Sequence, residues 1–249
     1  MIFIDLFSGI GGFAYGAWLA GMKFEAHYYS EVDDYANKVY QQRFPYAIPL
    51  GGIRNIRAAD LPKGEYILAG GFPCQDISFA GKGAGLAGER SGLFYEYARL
   101  LREIRPRYAI MENVGALIIR GMDAVLREIY EAGYDAEWCD IRASDVGAPH
   151  RRERIWVVAY PKSNRQWKNV HQSSGDRTSV IKKPNEWGRL WSISYRDGAL
   201  YNWKTNESIL TANNDGLPGA MDAVRLAGNA IVPQIAALIF AQIRQDAGL

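Results

Sequence analysis

Four short motifs in this 249-residue chain hold side chains that could do chemistry. In Gly70-Gly-Phe-Pro-Cys-Gln-Asp-Ile-Ser78, glycines and a proline hold Cys74 just past an apolar run. A thiol placed there can act as an exposed nucleophile. A free thiol titrates at about 8.5, so at neutral pH it needs a local positive field or a nascent proton acceptor. The bland alternative is a small buried hydrophobe. Met111-Glu-Asn-Val114 ends a second apolar run on a carboxylate. A buried glutamate tends to keep its proton and can serve as an acid. In Arg151-Arg-Glu-Arg154, Arg152 and Arg154 alternate onto one face of an extended segment, as site residues or as a surface basic cluster. The fourth motif, Asp5-Leu-Phe-Ser-Gly-Ile-Gly-Gly-Phe13, is a glycine-rich turn that lets backbone approach a ligand closely. Its spacing is not that of a dinucleotide site, and the lysine of a phosphate-cradling loop is absent. With Glu31 placed to hold ribose hydroxyls, the pair suggests an adenosyl cofactor without a pyrophosphate. A tight turn plus a surface carboxylate is the other reading.

Elements must position these groups. Residues 2–5 are apolar and β-prone, and 11–21 carry helical spacing through Phe13, Trp18 and Leu19. Residues 24–31 read as a strand, and 33–44 as a helix capped by Asp33. Further strands are expected at 66–69, 108–112 and 155–160, with helices at 93–104 and 122–132. This alternation predicts an α/β fold with a mostly parallel, doubly wound sheet. Ligands of such sheets sit beyond the carboxyl ends of the strands, where Asp5, Glu31, residues 70–74 and Glu112 all fall. From residue 161 the texture turns to Asn, Ser, Lys, Gly and scattered Trp, so 161–224 is expected to form a small separate domain. Residues 1–160 and 225–249 form the main one, with a last helix over 234–245 returning to the sheet.

Composition bounds the rest. With 48% hydrophobic and 22% charged residues, this is an ordinary globular composition, and no stretch approaches the roughly 20 apolar residues of a membrane span. The N-terminus lacks a basic region and long apolar core, so it reads as a first strand rather than a signal peptide. Cys74 and Cys139 are too few for a disulfide framework, and neither has the partners of a metal site, which points to a reducing cytoplasm and no metal. Net charge is only +2, but residues 151–204 carry a net +8 and five of the seven tryptophans, leaving −6 elsewhere. Such segregation fits a phosphate-facing lobe on a neutral-to-acidic body, or a solvated basic surface over a small core.

The motifs at 5–13, 72–75, 112–114, 151–154 and 228–229, in this order, closely resemble the series of cytosine-C5 DNA methyltransferases. The resemblance implies the S-adenosylmethionine-dependent methyltransferase fold with a small target-recognition domain. It implies that Cys74 adds to carbon 6 of a cytosine flipped out of duplex DNA, activating carbon 5 towards the methyl group of S-adenosylmethionine, with S-adenosylhomocysteine as product. Glu112 is then expected to hydrogen-bond N3 and the exocyclic amine of the base. Arg154, with Arg152 beside it, would contact O2 and fix Glu112. Phe7, Ser8, Gly9, Gly12, Glu31, Val32, Leu93 and Asn229 match positions lining the cofactor pocket. The family's catalytic loop maps to 75–92, where Gln75, Ser78, Lys82 and Arg90 would meet DNA. In the basic lobe, Lys182, Lys183 and Arg189 are expected phosphate contacts.

Departures from the family pattern matter too. Val32 stands where some relatives have an aromatic, and Gly52 stands where the family usually has an aspartate that accepts from the adenine amine. Asp60 or a water could substitute. The segment before Gly228 is short, as in compact phage and prophage relatives. Amino-methylating DNA enzymes use an Asn/Asp-Pro-Pro-aromatic motif, which Gly71-Phe-Pro-Cys74 does not match. Methylation of a tRNA cytosine, or a DNA-binding paralogue without catalysis, are the alternatives. Duplex DNA is the expected partner of a monomer, with a cognate restriction endonuclease as a further possible one.

Overall fold

β1 (Ile2–Leu6) is buried at every position, as a parallel strand covered on both faces must be. The computed structural model describes residues 1–73, 92–148, 151–163 and 230–249. Around β1 lies a seven-stranded sheet of order β3-β2-β1-β4-β5-β7-β6. Its members are β2 (Ala26–Ser30), β3 (Ile48–Pro49), β4 (Tyr66–Gly70), β5 (Tyr108–Val114), β6 (Tyr134–Arg142) and β7 (Glu153–Pro161). The first five run parallel, while β7 lies antiparallel to both β5 and β6. The chain steps outward from β1 to β3, then crosses back to start β4 on the other side of β1. The order therefore reverses between β1 and β4, and a crevice opens at their carboxyl ends.

Helices cover both faces. On one lie α1 (Gly12–Leu19), α2 (Asp34–Arg43) and α6 (Pro233–Ala247), whose Phe13, Tyr40 and Phe240 pack with Phe3, Tyr29 and Trp156 of the sheet. On the other lie α3 (Gly92–Ile104) and α5 (Met122–Glu131), which bury Phe94, Tyr97, Leu101, Val125 and Ile129 against Ile4, Leu68 and Val157. The short α4 (Leu117–Arg120) links β5 to α5. Asp33 caps α2 as expected, its carboxylate accepting from the Ala36 N–H at 2.9 Å. The doubly wound, mostly parallel sheet, the elements at 2–5, 66–69 and 108–112, and the returning last helix all match the sequence reading. β6 was not foreseen: Asp135, Glu137 and Asp140 mask a half-exposed edge strand. The segment expected to form a small domain lies, apart from 161–163, outside the described residues. Among the described residues no helix is long and apolar enough to cross a membrane.

The seam between α1 and α6 depends on a close approach. A Cβ on Gly16 would sit 2.6 Å from Cβ of Ala236, 2.7 Å from the Pro233 carbonyl and 3.0 Å from the Ala237 amide. Alanine in a helix gains roughly 1 kcal/mol over glycine, but overpacking against helix backbone costs about 1–3 kcal/mol. The overlap wins because two of the three obstacles are main-chain atoms. Gly16→Ala is therefore expected to lower stability by roughly 1–2 kcal/mol, read as a reduced urea midpoint with unchanged slope. An unchanged or raised midpoint would contradict this account of the seam.

Candidate active site

The loop after β1 is bent by local backbone geometry. Phe7, Gly9 and Gly11 have φ of 51°, 52° and 87°, a region that glycine enters freely and phenylalanine rarely does. The bend brings the Gly9 N–H to Glu31, just past β2, where it donates to Oε2 at 2.8 Å. Oε1 of the same carboxylate accepts from the Val32 and Asp33 amides at 2.8 and 2.9 Å. Each carboxylate oxygen keeps further acceptor capacity, so Glu31 is fixed and can still take hydroxyl donors. Beside it, among the described residues, Ser8 Oγ is buried with no hydrogen-bond partner, and a Cβ on Gly9 would meet nothing within 4 Å. Val32 is 78% exposed, its Cγ1 3.3 Å from where a Cβ on Gly52 would be. Asp60 lies exposed in the 3-10 turn Ala58–Asp60. Leu93 is half-buried in the first turn of α3. This fixed acceptor, orphaned hydroxyl and open glycine face fit the ribose and amino-acid ends of an adenosyl cofactor.

Across the crevice, Glu112 sits on β5 with only 8% of its surface exposed. Burial pushes its carboxyl up to about 7, against the opposing pull of Arg154 and then Arg152. Arg154 Nε lies 3.1 Å from Glu112 Oε1, within ion-pair distance but without the alignment of a hydrogen bond. The register explains the pairing: β7 runs antiparallel to β5, so Arg154 stands opposite Val114 and its side chain reaches back towards Glu112. Glu112 also presses on the loop after β4, where a Cβ on Gly71 would be 3.0 Å from Oε2. Arg152 takes a different course. It sits at φ 20°, and its Nη2 donates to the carbonyl of Ala230 at 2.6 Å.

Three positioning groups escaped the sequence reading as such. Asn113 Nδ2 donates to the Phe72 carbonyl at 2.9 Å and so fixes the chain two residues before Cys74. Tyr40 Oη donates to Asp5 Oδ2 at 3.0 Å and lies 2.8 Å from His27 Nε2. Burial raises the Asp5 carboxyl well above its usual range and lowers His27 to about 4. Asp5, His27 and Tyr40 tie α2 and β2 to β1 beneath the glycine loop. Nothing in the spacing of His27 and Tyr40 marks them, whereas Asn113 lies inside a motif. Cys74, Gln75, Ser78, Lys82, Arg90, Lys182, Lys183, Arg189 and Asn229 lie outside the described residues. Among the described residues no three His, Cys, Asp or Glu side chains gather as a metal site would require.

The sequence profile of the C-5 cytosine-specific DNA methylases matches residues 1–215. The chain belongs to this family. Among its relatives, the Type II methyltransferase M1.ScrFI of Lactococcus lactis subsp. cremoris is 38% identical over 165 residues, covering 65% of this chain and 42% of that protein. The Type II methyltransferase M.HhaI of Haemophilus parahaemolyticus is 35% identical over 162 residues, covering 64% and 48%. The chain thus spans about half the length of the curated relatives it matches. The crystal structure of S. pombe Dnmt2 methyltransferase aligns over 100% of both chains with a TM-score of 0.66 at 14% identity, a likeness of fold alone.

Proposed function

We propose that the protein methylates carbon 5 of a cytosine flipped out of duplex DNA. The observation that supports this most is Glu112: a buried carboxyl poised near neutrality, beside Arg154, one strand from a crevice suited to an adenosyl group. S-adenosylmethionine, bound by the loop at 7–12 and by Glu31, would supply a methyl group on a sulfonium for carbon 5 to take, leaving S-adenosylhomocysteine. The chain's own residues do the rest. Cys74 thiolate bonds to carbon 6, and the electron pair displaced into the ring is met at N3 by the proton of Glu112. Arg154 steadies Glu112 and faces O2 of the base. After methylation, the carbon-5 proton passes to solvent water and the sulfur leaves carbon 6 with its electron pair as the thiolate, while N3 returns its proton to the Glu112 carboxylate, which restores the aromatic ring and resets both groups. Because carbon 6 is hidden in stacked DNA, the base must leave the duplex first, at a cost of a few kcal/mol.

Residues 161–224 would supply target recognition, with Lys182, Lys183 and Arg189 on phosphate and the catalytic loop residues Gln75, Ser78, Lys82 and Arg90 closing on the DNA. The Type II methyltransferase names of the relatives support a modification role, and we take the protein to be a cytoplasmic monomer with a cognate restriction endonuclease as partner. The test is incubation with labelled S-adenosylmethionine and duplex DNA, tRNA or neither. Label is expected in duplex DNA alone, at cytosine. Label in tRNA but not DNA would overturn the substrate, and no label in either would favour a non-catalytic DNA-binding protein.

A further inference from the structure

Arg152 does not point where its partner Arg154 does. Its guanidinium donates to the carbonyl of Ala230 across 78 positions of sequence, three residues ahead of α6. A charge-assisted bond of 2.6 Å to a main-chain carbonyl fixes that carbonyl in place. The backbone of Arg152 is held at φ 20°, a conformation L-residues seldom adopt and which persists only where surrounding contacts enforce it. The next residue, Ile231, is 9% exposed and wedged into the crevice between the two glycine loops. Its Cγ1 lies 2.5 Å from where a Cβ on Gly12 would be, and its Cγ2 3.9 Å from where one on Gly71 would be. Pro233 then starts α6, so residues 230–232 are tethered by Arg152 at one end and a rigid helix at the other.

We infer that Arg152 is a positioning residue for the cofactor pocket, holding the Ala230 carbonyl so that Ile231 stays seated between the glycine loops. This replaces the contact to O2 of the base that the resemblance implies for it. The inference rests on reading that crevice as the S-adenosylmethionine site. Without the tether the segment 230–232 swings away from Gly12, the end of the loop that carries Ser8 and Gly9 loosens, and cofactor affinity falls even with no nucleic acid present. Arg154 pairs with Glu112 instead, and among the described residues it makes no hydrogen bond to segment 230–232.

Calorimetric titration of S-adenosylhomocysteine into the DNA-free protein separates the possibilities. Arg152→Met is expected to raise Kd at least tenfold, and Arg154→Met to change it less than twofold. Arg152→Lys keeps the charge but not the reach and planarity, so an intermediate rise is expected, and it decides the matter if Arg152→Met does not fold. In steady-state methylation, Arg152→Lys should raise KM for S-adenosylmethionine while kcat at saturation changes less than threefold. Folded Arg152 variants with wild-type Kd and a lowered kcat would overturn the inference in favour of a base contact. Failure of the wild-type protein to bind S-adenosylhomocysteine would instead overturn the proposed function on which it rests.

Discussion

Cys74→Ser is expected to abolish methyl transfer, lowering the single-turnover rate by on the order of 10⁴-fold, about 5 kcal/mol in the barrier. Carbon 5 of cytosine is a poor nucleophile until a group bonds to carbon 6 and converts the ring to an enamine. A thiol is a few per cent ionised near neutral pH and intrinsically very nucleophilic, whereas a serine hydroxyl there is neither. The substitution changes one atom, so binding of DNA and cofactor should survive while the chemistry does not. A duplex carrying 5-fluorocytosine gives the second readout. Fluorine at carbon 5 cannot leave as a cation, so elimination stops and the bond from sulfur to carbon 6 persists. The wild-type protein with S-adenosylmethionine should shift to a DNA-linked band on a denaturing gel, and Cys74→Ser should not. A wild-type protein that methylates yet traps no adduct would show that the sulfur never bonds to the ring.

The proposed nucleophile stands out in the sequence for a simple reason. Glycine and proline around Cys74, at the end of an apolar run, are local signals that need no knowledge of the rest of the chain. The same holds for the Asp33 cap of α2, whose donor is three residues away, and for the glycine loop after β1. Parallel strands buried on both faces also announce themselves, since β1 and β4 have no exposed position to interrupt them. β6 was hidden because it lies at the sheet edge, half-exposed, with Asp135, Glu137, Asp140 and Arg142 interrupting its apolar residues. What stayed out of reach at the site was every property that depends on a distant partner. Asn113 meets Phe72 across 41 positions and Arg152 meets Ala230 across 78. Sequence placed Arg152 and Arg154 on one face of one segment, and from that pairing alone they share a role. The positive φ at Arg152 breaks the alternation and sends the two guanidinium groups to different targets.

Protonation of Glu112 belongs to the same class, because it is set by burial among β4, β5 and β7 rather than by its neighbours in the motif. Glu112→Gln keeps the size and hydrogen-bonding outline of a protonated carboxyl but cannot give up a proton. Loss of general acid help costs about 10²–10⁴-fold. A loss of about 10²–10³-fold in kcat/KM is expected here, because the amide N–H can still donate to N3. The wild-type profile should fall tenfold per pH unit on its alkaline side, where the active form loses a proton from the coupled pair of thiol and carboxyl. In Glu112→Gln only the thiol remains to titrate, so the rate should rise to a plateau with no alkaline fall.

Stability gives an independent check with a definite sign. The folded protein holds the Glu112 proton up to about 7, while the unfolded chain releases it near 4.5. Between those values the folded state binds more protons, so stability from this group is fully present below about pH 4.5 and is lost as pH rises through 7. The full span of the shift corresponds to roughly 3 kcal/mol. Relative to wild type, Glu112→Gln should therefore gain stability as pH is raised from 5 to 8, by roughly 2–3 kcal/mol in urea titrations. Two parallel stability curves across that range would mean the carboxyl is ionised at neutral pH, and it could not then serve as the acid at N3. An alkaline fall in rate that survives in Glu112→Gln would place the required proton on another group altogether.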